Sequence, residues 1–150
     1  RVYWGAWPSL VEPFGFVFPG RQRRPPRDPI NAMVSLLATL LYHRIAWNLW
    51  EIGFEPRRGI YHQPHGAHAA LASDLIEEVR HVMETLVLRL IRRKQVQPSD
   101  FPEGVEPRTD RGYYLPPPVY RTVVLAFEER PFGDIYAAWV AQNDRVGVPG

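Results

Sequence analysis

"DPINAMVSLLATLLYHRIAWNLWEIG", residues 28 to 53, holds the most apolar stretch of the chain, and its reading sets the fold. Asp28 followed by Pro29 is a helix start: a carboxylate that can accept backbone N–H groups, then a residue whose missing N–H costs nothing in the first turn. Met33, Leu36, Leu37, Leu40, Leu41 and Ile45 recur at helical spacing and are expected to be buried. Gly53 can take the left-handed backbone that closes a helix, so the helix is expected from Pro29 to about Ile52. The almost wholly apolar part, Ala32 to Tyr42, is interrupted by His43 and Arg44, well short of the ~20 apolar residues a membrane span needs. The spacing therefore predicts a buried helix and no membrane segment.

A second long helix is expected from about Ala69 to Arg93, with an apolar stripe of Leu71, Leu75, Val79, Val82, Leu86, Leu90 and Ile91. Arg89, Arg92 and Arg93 sit in its last turns, where cations suit the helix dipole. Tyr3, Trp4, Trp7 and Leu10 put residues 1–11 in a helix that ends near Pro13. Residues 12–28 read as a basic, Pro-rich loop, and residues 53–68 as a connecting loop with glycines and prolines. Gln97 to Phe101 marks a turn or short helix, and Glu103 to Pro118 is irregular or a short hairpin. Two shorter helices are expected from Val119 to Glu129 and Phe132 to Ala141, then a loose tail at 143–150. The expected class is all-α: one helical domain over residues 1–150, built on two long apolar helices.

A hydrophobic content of 45% is enough for a packed core and argues against global disorder. The absence of cysteine excludes disulfides and thiolate metal sites. No charged-then-apolar leader is visible. Every basic residue is arginine except Lys94, and arginine binds phosphate through a planar fork. An Arg-favouring codon composition would leave the same mark.

The chemistry gathers in "GIYHQPHGAHAALASDLIEEVRH", residues 59–81. Asp74 and Glu77 are three apart and share one face near the start of the second helix, where the dipole also favours carboxylates. His62 lies in the loop that leads there. A loop imidazole with two carboxylates from one turn is a partial shell for a divalent ion, and oxygen donors with one imidazole suit Mn²⁺ or Mg²⁺ better than structural zinc. The plain alternative is an acidic helix start beside exposed histidines, with Glu77 and His81 paired at i, i+4. His62, His65 and His68 also form an H-x-x-H-x-x-H run, but Pro64 and Gly66 prevent a shared helical face.

In order along the chain, Asp28-Pro29-Ile30-Asn31-Ala32, the loop Gly53-Phe54-Glu55-Pro56-Arg57-Arg58-Gly59-Ile60-Tyr61-His62, and Asp74-Leu75-Ile76-Glu77-Glu78-Val79-Arg80 occur at family-like separations. Together they resemble the CRISPR-associated integrase family, the catalytic subunit of spacer acquisition (adaptation protein one). The resemblance covers most of the chain and is weakest after about residue 115. It implies that His62 and Glu77 are metal ligands and that Asp74 is a ligand or sits beside them. It implies a further glutamate in a Glu-Gly-x-x-Ala-Arg-x-Tyr pattern, of which Arg1-Val2-Tyr3-Trp4 looks like the tail. That glutamate would fall before Arg1, and the family's N-terminal β-rich domain, which makes the homodimer, would also lie outside this sequence. The chain departs from the family at His68, where an arginine or lysine is usual, and at Val79-Arg80-His81 in place of Phe-Arg-Pro.

The function so implied is metal-dependent phosphoryl transfer on DNA, an endonuclease or integrase acting on spacer precursor and CRISPR repeat in the prokaryotic cytoplasm. A second adaptation subunit is the implied protein partner and Mg²⁺ or Mn²⁺ the cofactor. The nucleophile would be a DNA 3′-hydroxyl or water. Arg23, Arg24, Arg27, Arg57, Arg58 and Arg80 are the candidate phosphate binders. With one ligand missing, the chain alone is expected to be inactive; Glu12 and Glu78 are the first substitutes to test. The rivals are a non-catalytic helical DNA-binding module and a zinc-binding interaction protein built on His62, His65 and His68.

Overall fold

The computed structural model describes residues 2–59, 61 and 68–129. Among them the secondary structure is helical, with no strand. The helices are α1 (Val2–Gly5), α2 (Trp7–Val11), α3 (Pro29–Glu51), α4 (Ala70–Arg92) and α5 (Pro117–Glu128), with 3-10 turns at Glu12–Phe14 and Pro98–Asp100. The class is all-α, as expected, and the two long helices end within a residue of their expected bounds. The helix expected at 132–141 and the tail at 143–150 lie outside the described residues. No helix among the described residues is long and apolar enough to cross a membrane.

Local chemistry explains the long helices. Asp28 Oδ1 accepts the Asn31 N–H at 2.9 Å, the bond expected of a cap to the third helical residue. At the other end Gly53 has φ +84°. Its N–H donates to Trp50 O at 3.1 Å, and the Phe54 N–H donates to Leu49 O at 2.8 Å. Those two bonds satisfy carbonyls the helix leaves open. α4 ends the same way without a glycine. Lys94 has φ +55°, its N–H donates to Ile91 O at 2.9 Å, and Gln95 N–H donates to Leu90 O at 2.9 Å. The first expected helix is instead split between α1 and α2, because Pro8 has no N–H and its ring crowds the carbonyl four residues back.

The chain gathers into two compact units, and α3 and α4 contribute residues to both. The first comprises residues 1–37 and 84–129. Its core is aromatic and aliphatic: Trp7, Phe16, Phe18, Ile30, Met33, Leu37, Leu86, Leu90, Phe101 and Phe127 are buried. Trp7 and Phe18 rings lie 5.4 Å apart, and Phe16 meets Phe101 edge-on at 5.9 Å. Full burial of a side chain such as Phe16 stabilises by about 1.5–3 kcal/mol. Residues 108–113 are irregular, not a hairpin, and run along the Pro-rich loop. Arg108 N–H donates to Arg27 O at 2.7 Å and Tyr113 N–H to Pro26 O at 2.6 Å. Gly112 permits this approach, since a Cβ there would stand 3.0 Å from Pro25 Cβ.

The second unit comprises residues 38–83 and 130–150, of which the described part is the end of α3, the loop after it and the start of α4. Leu41, Ile45, Leu49, Ala69, Ala70, Ala72, Val82 and Met83 are buried in it. The expected core needs correction here and in the first unit. Leu36 and Leu40 are half-buried, whereas the row Met33, Leu37, Leu41 and Ile45 is buried. α3 is apolar nearly all round, so its period cannot say which row faces inward. In α4, Leu71 and Val79 are half-buried and Leu75 is 41% exposed. Alanines, which let backbones approach closely, take the inward positions at its start.

Candidate functional site

Asp74 and Glu77 stand one turn apart near the start of α4, Asp74 half-buried and Glu77 exposed. Asp74 Oδ2 accepts the Tyr61 backbone N–H at 3.0 Å. Leu71 N–H donates to Pro56 O at 2.9 Å. These two bonds tie the loop after α3 to the acid-bearing turn. Tyr61 immediately precedes His62 in the sequence; His62 and His65 themselves lie outside the described residues. Glu77 Oε2 accepts Arg80 Nη1 at 2.7 Å, so the expected phosphate binder Arg80 is engaged by one of the expected metal ligands. Glu78 is exposed on the same helix, and Glu12 opens a 3-10 turn in the first unit. No group of three or more histidine and carboxylate side chains is poised for a metal among the described residues. Of the three histidines in the zinc alternative, only His68 is described. Its Nδ1 is 3.2 Å from Tyr42 Oη and its Nε2 is 3.0 Å from Ser73 Oγ.

The arginines divide by environment. Arg23 and Arg24 are exposed on the Pro-rich loop and Arg27 is half-buried. Arg57 is held by Glu55 through two bonds, Nε to Oε1 at 2.9 Å and Nη2 to Oε2 at 3.1 Å. The Arg57 side chain, hydrogen-bonded to the Glu55 carboxyl, draws that carboxyl down to about 2. Arg58 is exposed and makes no ion pair with a described residue.

Two features escape a reading of the sequence. The first is a buried clasp at the start of α3. Asn31 Nδ2 donates to Asp28 Oδ2 at 2.6 Å and to Gly20 O at 2.8 Å; Asn31 Oδ1 accepts Gln22 N–H and Arg21 Nη1, each at 2.8 Å. One amide thereby uses both donors and both acceptor sites, and anchors the loop that presents Arg23 and Arg24. Burial pushes the Asp28 carboxyl up, against the Asn31 bonds that favour its ionised form. Asp and Asn three apart at a helix start are a readable cap, but the loop atoms they hold are not. The second is the Tyr42–His68–Ser73 contact, which no local spacing announces.

Among the described residues the chain is thus of the helical class, with two acids one turn apart, a loop tied to them and Arg80 held beside them. Comparison with known proteins narrows this class. Residues 1–129 match the family model for CRISPR associated protein Cas1, and the chain belongs to that family. It is 39% identical over 133 residues to "CRISPR-associated endonuclease Cas1 2" of Rhodospirillum rubrum, covering 86% of this chain and 37% of that protein. It is 32% identical over 132 residues to "CRISPR-associated endonuclease Cas1" of Leptospira interrogans, covering 88% of this chain and 50% of that one. The chain thus spans half or less of the length of these relatives. Among solved structures it is similar to a chain of a "Partial Cas6-RT-Cas1--Cas2 complex" (34% identity, TM-score 0.72, 85% of this chain and 38% of that). It is also similar to a "Casposase bound to integration product" (26% identity, TM-score 0.70, 85% and 36%).

Proposed function

We propose that this chain is the helical catalytic part of a metal-dependent DNA endonuclease and integrase of CRISPR spacer acquisition. The observation that carries the reading is the bond from Tyr61 N–H to Asp74 Oδ2, which tethers the His62-bearing loop to the turn that holds Asp74 and Glu77. The donor set fits the implied ion in kind, since carboxylate oxygens with one imidazole suit Mg²⁺ or Mn²⁺. Asp74, Glu77 and His62 would hold it, and when bound it would polarise a phosphodiester oxygen and offset charge on the leaving oxygen. The protein's own groups then orient and bind. Tyr61 N–H fixes the Asp74 carboxylate, and Arg80 fixes Glu77 until a phosphate competes for its guanidinium. Arg23, Arg24 and Arg58 supply exposed forks for DNA phosphates.

DNA and a Cas2-type second subunit are the proposed partners. The similar structures support this reading, one being a Cas1–Cas2 complex and the other a casposase bound to integration product. The test is cleavage and joining of branched DNA by the full-length protein with Mn²⁺, Mg²⁺ or Zn²⁺. Mn²⁺ should support turnover at least as well as Mg²⁺. Asp74→Ala and Glu77→Ala should each lower turnover by more than the ~10–100-fold typical of groups one layer outside a metal. Binding of DNA with no metal-dependent strand chemistry would replace this reading with a binding module. Activity with zinc alone would point to the histidine run.

A further inference from the structure

The chain enters α4 through His68-Ala69-Ala70-Leu71-Ala72, and residues 69–72 carry no side chain able to cap the open N–H groups of the first turn. The partners come from outside the helix. Tyr42 Oη, on α3, accepts the Ala69 N–H at 2.7 Å. The same oxygen lies 3.2 Å from His68 Nδ1, and His68 Nε2 lies 3.0 Å from Ser73 Oγ. The Tyr42 and His68 rings stack, with centroids 5.6 Å apart and planes 11° from parallel. One proton arrangement satisfies every atom. Tyr42 accepts from Ala69 and gives its own proton to Nδ1; His68 then carries its proton on Nε2 and donates it to Ser73.

From this chain of contacts we infer that His68 is a positioning residue: with Tyr42 and Ser73 it clasps the first turn of α4 and so sets the rotation of the helix that carries Asp74 and Glu77. The inference rests on the reading of those two acids as the ion-holding pair. At the position where the resembled family usually has arginine or lysine, both ring nitrogens of His68 are engaged by Tyr42 and Ser73. Ser73 is the residue before Asp74. A loosened clasp therefore acts one residue from an acid, and a displacement of ~1 Å can cost ~100-fold in rate. The His68 ring nitrogens face Tyr42 and Ser73, not the acids, so His68 has no catalytic part of its own.

The experiment uses the full-length protein with Ser73→Ala, His68→Ala and Ser73→Thr, the last keeping the hydroxyl. Amide hydrogen exchange over residues 69–74 is measured without metal, and KM and kcat are measured on branched DNA with Mn²⁺. Both alanine variants should speed exchange in that segment by ~10-fold or more. They should lower kcat by ~10–100-fold with KM within about twofold of wild type, while Ser73→Thr restores both quantities. Unchanged exchange with unchanged kcat in His68→Ala overturns the clasp. A raised KM with unchanged kcat and exchange overturns it in favour of a phosphate contact. If wild type shows no metal-dependent turnover, the proposed function falls, and the exchange result alone decides whether His68 holds the turn.

Discussion

Removing the Asn31 side chain should be a strongly destabilising change in the first unit. Asn31→Ala deletes four side-chain bonds at once: to Asp28 Oδ2, Gly20 O, Gln22 N and Arg21 Nη1. A net hydrogen bond contributes about 1 kcal/mol, and a buried group left unsatisfied costs about 1–3 kcal/mol. Gly20 and Gln22 lie on a half-buried loop, where water can replace the missing partner, so they fall at the low end. Asp28 is buried and would be left with fewer donors. The sum is about 3–4 kcal/mol, a large share of the roughly 5–15 kcal/mol that holds a domain folded. In urea unfolding followed by tryptophan fluorescence, the midpoint should fall by roughly 2 M with an unchanged slope, taking a slope of about 1.5–2 kcal/mol/M. Asn31→Asp is the companion variant. It keeps the acceptors for Gln22 and Arg21 but sets a second carboxylate where the amide now stands 2.6 Å from Asp28 Oδ2. One of the pair must then take up a proton, so this variant should regain stability as pH falls. A loss below about 1 kcal/mol in Asn31→Ala would show that the clasp is replaced by solvent at little cost, and the reasoning would fail.

Three further outcomes rest on named residues. The Asp28 carboxyl is raised above its ordinary value by burial, so between that value and the folded one the native state binds more protons than the unfolded chain. Its ionisation therefore costs stability at neutral pH, and the cost is relieved as pH falls. The stability of wild type relative to Asp28→Asn should accordingly rise on acidification from neutrality toward pH ~4, and a flat difference in urea titrations would contradict the burial effect. Lys94 closes α4 with φ +55°, so Lys94→Gly should raise stability by about 0.5–1 kcal/mol in thermal unfolding; a loss would mean that the lysine side chain contributes more than its backbone costs. Replacing Arg23, Arg24 and Arg27 with alanine should weaken DNA binding regardless of sequence and reduce the log–log salt slope by ~0.9 for each DNA phosphate that an arginine no longer neutralises, whereas an unchanged slope would make the loop only solvated surface.

Much of this molecule is set by residues within five positions of one another. The Asp28 cap, the Gly53 closure and the lengths of α3 and α4 obey short-range rules, which is why they are legible in the sequence. The shared face of Asp74 and Glu77 follows from the helical period alone. The family, too, is legible in three ordered blocks, because each block is local. What depends on distant partners is not. An apolar period cannot choose between two rows on a helix that is apolar all round, so Leu36 and Leu40 are half-buried against expectation, and Trp47 and Trp50 are 66% and 62% exposed. Charge alone cannot say that Arg21 turns inward to Asn31 while Arg23 and Arg24 face solvent, or that Arg80 and Arg57 are held by Glu77 and Glu55. Nor can spacing join Tyr42 to His68, which are 26 residues apart. Only the packed fold brings a hydroxyl from one helix to the bare start of the next, because unsatisfied N–H groups take whatever acceptor the tertiary structure delivers.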